Sequence, residues 1–205
     1  MEEKEKTTGK KSGILNLPNM LTIMRVIMVP IFIACMLYIS DPLVCGFVGV
    51  IVFIFTSATD FFDGSIARKR NLITNFGKFL DPVADKFMVF ASFLTMAVII
   101  EPMRSMLVWT TAIIFVRELG VTSLRMICAD SGAGAIAASL FGKWKTMTQI
   151  VAVCVVLFEY ALIVGKVFDT MWIASYILLA GTIFMTVASG IDYLKAYWKY
   201  IDTNK

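Results

Sequence analysis

The chain of 205 residues has no histidine. The commonest general base and the commonest zinc ligand are therefore missing, and acid–base chemistry falls to carboxylates, lysine, tyrosine or cysteine. Charge is scarce as well: Asp, Glu, Lys and Arg together make up 17% of the chain, against 59% hydrophobic residues. Soluble domains run nearer half apolar and a quarter charged. With a mean hydropathy of +0.80, the composition points away from a soluble domain and toward a multispan membrane protein. Cys35, Cys45, Cys128 and Cys154 are scattered through apolar stretches without paired spacing, so they read as packing residues and not as a disulfide framework or metal site. No polar stretch is long enough for a separate soluble domain, and there is no internal repeat or low-complexity tract. No G-x-G-x-x-G or Walker pattern follows Asp130–Gly134, which therefore reads as a flexible connector and not a phosphate loop.

The N-terminal MEEKEKTTGKKSG mixes acids with lysines and has no cleavable signal pattern. The first apolar helix is expected to stay in the mature protein. The tail reads as a solvated orientation signal, with weak contact to anionic headgroups as the alternative.

Six apolar segments follow, near 18–40, 43–69, 76–100, 105–129, 143–165 and 170–198. A bilayer core takes about 20 helical residues. Segments one, two, five and six supply that with long apolar runs. Segments three and four hold only the short uncharged runs Phe87–Ile100 and Ser105–Val116, and must borrow the rest from charged sequence. A mid-helix charge facing lipid costs about 2.5–3.5 kcal/mol on insertion scales, so these charges are expected to face a shared wet cavity. The connectors near 40–42, 101–104 and 165–169 hold only Arg104 and Lys166, and most other basic residues fall at the opposite ends. Both termini and the cavity are therefore expected to be cytoplasmic. The expected fold is all-α: a cytoplasmic tail over 1–17, a six-helix transmembrane domain over 18–198 around a cytoplasm-facing polar cavity, and a cytoplasmic tail over 199–205.

The chemistry concentrates in DFFDGSIARKRNLITNFGKFLDPVAD, Asp60 to Asp85. Asp60 and Asp63 are three apart, Asp81 and Asp85 four apart, so each pair shares a helix face. A polar turn near Arg70–Asn75 separates them, with Thr74 or Asn75 as a cap for the second helix. An antiparallel hairpin would bring four carboxylates together at the cytoplasmic end. Such a cluster needs neutralising, and two divalent cations would do it; an all-oxygen set suits magnesium or manganese better than zinc or copper. Two such ions can clamp a pyrophosphate. Gly64 and Ala67 lie one turn beyond Asp60 and Asp63, where small side chains admit a nucleotide. Arg68 continues the Asp60–Gly64 stripe and can hold a phosphate bidentately. Gly77, Asp81 and Asp85 form a second stripe.

This stretch resembles the CDP-alcohol phosphotransferase family, whose signature is D-x2-D-G-x2-A-R-x8-G-x3-D-x3-D. Asp60, Asp63, Gly64, Ala67, Arg68, Gly77, Asp81 and Asp85 match every fixed position, and the six-segment layout matches too. The resemblance implies that Asp60, Asp63, Asp81 and Asp85 hold metal, that Asp85 is also the general base, that the donor is a CDP-activated lipid, and that the protein is a homodimer. LPNMLTIMR (Leu17–Arg25), VREL (Val116–Leu119) and FGKWKTMTQ (Phe141–Gln149) further resemble bacterial family members that join CDP-diacylglycerol to sn-glycerol 3-phosphate, which implies a bacterial cytoplasmic membrane.

A phosphorylated acceptor needs cations. Arg117 and Arg125 are eight apart on one helix face, and Lys143 and Lys145 open the next helix. They are the candidate acceptor-phosphate ligands, with positive-inside anchoring as the alternative. Pro18 suits a helix start. Asn19, Thr22 and Arg25 recur at three-residue spacing and are candidates for the CDP-lipid side, with capping and interhelical bonding as the alternative. Glu118 reads as the partner of a nearby cation, and Glu159, deep in segment five, as an interhelical partner. Other acceptors in the same family (an inositol phosphate, serine or phosphatidylglycerol) remain open, as does a divalent-cation channel or transporter.

Overall fold

The computed structural model describes residues 17–70, 75–130, 140–167 and 172–198; within these, the side chains of 17–19, 21, 60–70, 75–85, 127–130 and 140 are outside the description. Both tails, Thr74 and most of the Asp130–Gly134 connector lie outside the described residues.

Six α-helices form: α1 Leu17–Tyr38, α2 Pro42–Arg70, α3 Asn75–Ile99, α4 Arg104–Asp130, α5 Leu140–Val164 and α6 Ile173–Tyr197, with a short 3-10 turn over Glu101–Met103. They fall on the six expected segments. Among the described residues four stretches are long and apolar enough to cross a membrane: Pro42–Thr59, Glu101–Met126, Phe141–Val164 and Ile173–Tyr197. The fourth segment is thus more apolar than its short uncharged run suggests, because the residues flanking Arg117 and Glu118 are themselves apolar. In α1 and α3 the described apolar stretches, Thr22–Tyr38 and Lys86–Ile99, are shorter.

Helix is the structure an apolar chain of this kind must adopt, since it satisfies backbone groups without water. The hydroxyls follow the same rule. Thr56, Ser92, Thr110 and Thr111 donate to the carbonyls four residues back, of Val52, Met88, Met106 and Leu107, at 2.7–2.8 Å. At the start of α2, Asp41 Oδ1 accepts from the amides of Leu43 (2.8 Å) and Val44 (3.1 Å), with Pro42 in the first helical position. At the end of α5, Val167 N–H donates to Leu162 O and Lys166 N–H to Ile163 O. This is the Schellman pattern, and it places Lys166 at φ 57°, a conformation glycine adopts more cheaply.

The helices close into a ring in which α1 packs on α2, α2 on α5, α5 on α6, α6 on α4, α4 on α3 and α3 on α1, with α3 also touching α5 across the middle. Phe32, Phe53, Phe93, Met96, Leu107, Leu157 and Leu179 are fully buried between them. Ile51, Trp109, Ile177 and Phe184 are exposed on the outside, as suits a lipid-facing surface. The α2–α5 seam is tightest at Gly46, where an added Cβ would stand 2.6 Å from Ala161 Cβ and 2.7 Å from Leu157 O. Small residues of this kind let membrane helices approach closely. Glu159 does find an interhelical partner: its Oε2 accepts from the Ser175 hydroxyl and, at 3.1 Å, the Ser175 amide in the first turn of α6. A carboxylate there complements the positive end of the helix dipole.

The two helix ends predict opposite changes. Asp41→Ala should cost about 1 kcal/mol by losing the cap. Lys166→Gly should gain up to about 1 kcal/mol by relieving the left-handed residue. Thermal unfolding in detergent checks both, as a lowered and a raised midpoint; shifts of the same sign would contradict the end structures.

Candidate active site

Asp60, Asp63, Gly64, Ala67 and Arg68 lie in α2, and Gly77, Asp81 and Asp85 in α3. Their side chains, and that of Asn19 in α1, are outside the described residues. Among the described residues no group of three His, Cys, Asp or Glu side chains could hold a metal. The chemistry of the donor set still fits one: four carboxylates on two consecutive helices, with the uncharged stretch of α2 ending where Asp60 begins, are hard oxygen donors at the edge of the apolar zone.

Next to this stretch, by helix register, lies a cavity of about 310 Å³. Thr56 and Ser57, within one turn of Asp60, line it from α2. Lys86, the residue after Asp85, lines it from α3 with Met88, Val89 and Phe90. Arg25 enters from α1, Arg117, Glu118, Thr122 and Arg125 from α4, and Lys145, Thr146 and Gln149 from α5. Residues far apart in sequence are thus brought to one chamber, and five of them are basic.

The cations are ordered around one acid. Glu118 Oε1 accepts from the Lys145 ammonium and, at 2.8 Å, from Arg117 Nη1. Lys86 Nζ stands 3.7 Å from Glu118 Oε2 and donates to Thr122 Oγ1 at 2.9 Å. Glu118 is therefore the partner of a nearby cation, as its sequence position suggested, but of three at once and from three helices. The Lys145 side chain is 8% exposed, that of Arg117 11% and that of Glu118 13%. Among the described residues one negative charge faces three positive ones, which leaves this part of the wall short of anions.

Two donors reinforce that deficit. Arg117 Nε and Gln149 Nε2 are buried and have no hydrogen-bond partner among the described residues. Gln149 lies on α5 one turn beyond Lys145, so both share a face. Buried donors are nearly always satisfied, and an acceptor in the cavity, water or an oxyanion, would satisfy these.

Arg125 is exposed, yet it too lines the cavity and donates to Tyr193 Oη at 2.7 Å. Lys143 is exposed and is not among the lining residues. Two residues along a helix is a rotation of about 200°, so Lys143 and Lys145 cannot face the same side. Thr22 and Arg25 are both buried on α1, and Arg25 alone of the pair reaches the lining. Lys86 and Thr122 were not singled out from the sequence. Helix spacing from Glu118, one turn before Thr122, would have found the latter; nothing local marks Lys86 except its place after Asp85.

The profile of the CDP-alcohol phosphatidyltransferase family matches residues 15–191. The chain is 37% identical over 206 residues to a Bacillus subtilis protein named CDP-diacylglycerol–glycerol-3-phosphate 3-phosphatidyltransferase, covering 93% of this chain and 100% of that one. It is 35% identical to a probable phosphatidylglycerophosphate synthase of Mycobacterium tuberculosis, over 91% of this chain and 85% of that one. It is also 35% identical to a Yersinia enterocolitica protein with the same name as the Bacillus one, over 90% and 96%.

Removing the central acid should unbalance the wall. Glu118→Ala leaves Lys145 buried without its counter-charge, a loss of about 3–5 kcal/mol. Adding Lys145→Met should restore much of it. Thermal unfolding of the single and double variants checks this; an unchanged midpoint for Glu118→Ala would show that the cluster does not support the fold.

Proposed function

The chain belongs to the CDP-alcohol phosphatidyltransferase family, and we propose that it transfers the phosphatidyl group of CDP-diacylglycerol to sn-glycerol 3-phosphate, giving phosphatidylglycerophosphate and CMP. The observation that carries the acceptor is the anion-poor wall of the cavity. Among the described residues Arg117, Lys145 and Lys86 share a single carboxylate there, and the Arg117 Nε and Gln149 Nε2 donors are open. A dianionic phosphate supplies the missing charge and acceptors; serine, which has no phosphate, does not. The relatives' names favour glycerol 3-phosphate over an inositol phosphate or phosphatidylglycerol. Ion conduction has no support in a family of phosphatidyl transferases.

Asp60, Asp63, Asp81 and Asp85 would hold two divalent cations, magnesium or manganese; bound there, these would neutralise the donor pyrophosphate and the departing phosphate charge. Gly64, Ala67 and Gly77 would leave room for the nucleotide, and Arg68 would hold its phosphates. Asn19, Thr22 and Arg25 would serve the donor side from α1, and of these Arg25 lines the cavity. Arg117, Arg125 and Lys145 hold the acceptor phosphate, with its free hydroxyl toward Asp85. Asp85 takes the hydroxyl proton, the oxygen bonds to the lipid-bearing phosphorus, and the bond from that phosphorus to the bridging oxygen breaks to release CMP. Lys143, exposed and off the lining, fits membrane anchoring better than phosphate binding. On this reading the protein works as a homodimer in a bacterial cytoplasmic membrane, with both termini and the cavity mouth on the cytoplasmic side, where Lys and Arg concentrate.

The direct test is purified protein with CDP-diacylglycerol and a panel of acceptors, read as CMP release and lipid product. Glycerol 3-phosphate should be the substrate, free glycerol a poor one, and chelator should abolish turnover until magnesium or manganese is restored. Equal use of glycerol and glycerol 3-phosphate would reject a phosphate-binding acceptor pocket.

Two variants divide the roles. Asp85→Asn should lose turnover by about 10²–10⁴-fold as a general base, and more through weakened metal binding, with the fold retained. Near-normal turnover would remove Asp85 from the chemistry. Arg117→Ala should raise the KM for glycerol 3-phosphate about 10- to 100-fold, the worth of a charge-assisted contact, and that for CDP-diacylglycerol much less. Lysine at 117 should rescue only in part, lacking the planar fork. Loss of affinity for the liponucleotide alone would move Arg117 to the donor side.

A further inference from the structure

Among the residues that line the cavity, none comes from α6. Yet α6 holds both of the α4 arginines that line it, Arg117 and Arg125. Tyr193 is buried, 4% exposed, and its ring lies under two guanidinium groups, 5.3 Å from Arg117 Cζ and 5.0 Å from Arg125 Cζ. Its hydroxyl accepts from Arg125 Nη2 at 2.7 Å. One turn earlier, the buried hydroxyl of Ser189 accepts from Arg117 Nη2. Tyr193 is itself backed by Tyr197, stacked at 6.2 Å and 11° between ring planes. Ser189, Tyr193 and Tyr197 recur every four residues and so form one stripe.

We infer that Ser189 and Tyr193 are positioning residues for the acceptor phosphate, holding Arg117 and Arg125 pointed into a cavity that neither of them lines. Arginine carries a large rotamer entropy, and less is lost on binding when the fork is already fixed. The division of contacts suits that role. Arg117 gives Nη1 to Glu118 and Nη2 to Ser189, which leaves Nε free among the described residues. Arg125 gives one Nη2 hydrogen to Tyr193 and, among the described residues, makes no other hydrogen bond, which leaves donors for a ligand. The ring face attracts both cations without consuming any N–H. An aromatic face, like a hydroxyl, holds these cations without adding a negative charge to compete with phosphate.

The inference rests on the reading of Arg117 and Arg125 as acceptor-phosphate ligands, and the test separates the two. Full-length protein in detergent is assayed with CDP-diacylglycerol and sn-glycerol 3-phosphate, each varied in turn. Tyr193→Phe keeps the ring and loses the hydroxyl; Ser189→Ala loses the other acceptor. Each should raise the KM for glycerol 3-phosphate on the order of three- to tenfold, the worth of one hydrogen bond. The KM for CDP-diacylglycerol and the unfolding midpoint should change little. Tyr193→Leu, losing the ring as well, should raise it further. The deciding measurement is a double-mutant cycle. In an Arg125→Ala background Tyr193→Phe should have almost no further effect, and likewise Ser189→Ala in Arg117→Ala. Additive effects, or equal changes in both KM values, would mean that α6 merely supports the fold, and would overturn the inference. If Arg117→Ala and Arg125→Ala leave the glycerol 3-phosphate KM unchanged, the phosphate reading and the inference fall together. If they raise it while the α6 variants do not, the inference alone falls.

Discussion

Glu118 sets the terms for the polar half of this bundle. An ammonium or guanidinium drawn out of water loses several kcal/mol of solvation, and regains it only through well-placed partners. Lys145 and Arg117 are nearly buried, from different helices, and both direct donors at the same carboxylate oxygen. Lys86 approaches the other oxygen from a third helix. One acid therefore allows three cations to be held at close quarters. Among the described residues three outnumber one, so it does so without cancelling them. A fully neutralised wall would be more stable and would bind no anion. A wall with no acid would repel itself open. The arrangement keeps a positive surplus under restraint, which is what a cavity for an anionic substrate requires.

Several described groups around these cations are neutral. Thr122, Ser189, Tyr193 and Thr56 meet polar needs with hydroxyls that add no charge. Each is fixed locally: Thr56 and Thr122 donate to carbonyls one turn back, and Tyr193 stacks on Tyr197. The polar groups are thereby rigid before any ligand arrives, and the free energy of binding is spent less on ordering side chains.

The sequence discloses the two features that are local. The helices are written in apolar runs, and all six fall on the expected segments because a membrane leaves the chain no other way to satisfy its backbone. The Asp60–Asp85 stretch is read from helical spacing, and its two aspartate pairs do fall within helices, α2 and α3. Arg117 and Arg125 were legible for the same reason. What the sequence hides is pairing between helices. Tyr193 and Arg125 are 68 residues apart, Ser189 and Arg117 72 apart, and nothing in either segment announces the other. Which helices adjoin is decided by ring closure, with α4 against α6 rather than α5, and periodicity does not encode that. The two lysines near 144 show the same limit in miniature. Composition places both near the cavity, while a rotation of two residues separates Lys145 in the wall from Lys143 on the outside.

Ring closure also accounts for where the cavity is. At one end of the α2–α5 seam Gly46 meets Ala161 with no space for a further carbon, and Gly49 lies against Met36 and Leu157. At the other end the same two helices present Thr56 and Ser57 opposite Lys145 and Gln149, and a chamber of about 310 Å³ lies between them. Small apolar residues draw the helices together where nothing needs to enter. Long charged side chains, which must keep their heads solvated or paired, hold them apart where something does. An empty apolar cavity of this size would cost stability in proportion to its volume. A polar one lined by five basic residues can fill with water instead, and that water is displaced by any anion that supplies better acceptors. The bundle is therefore closed by packing at one end and held open by electrostatics at the other. The open end is the one where α2 and α3 carry the four aspartates beyond their apolar stretches, so the fold that shelters the cations also brings them to the helices that bear the acids.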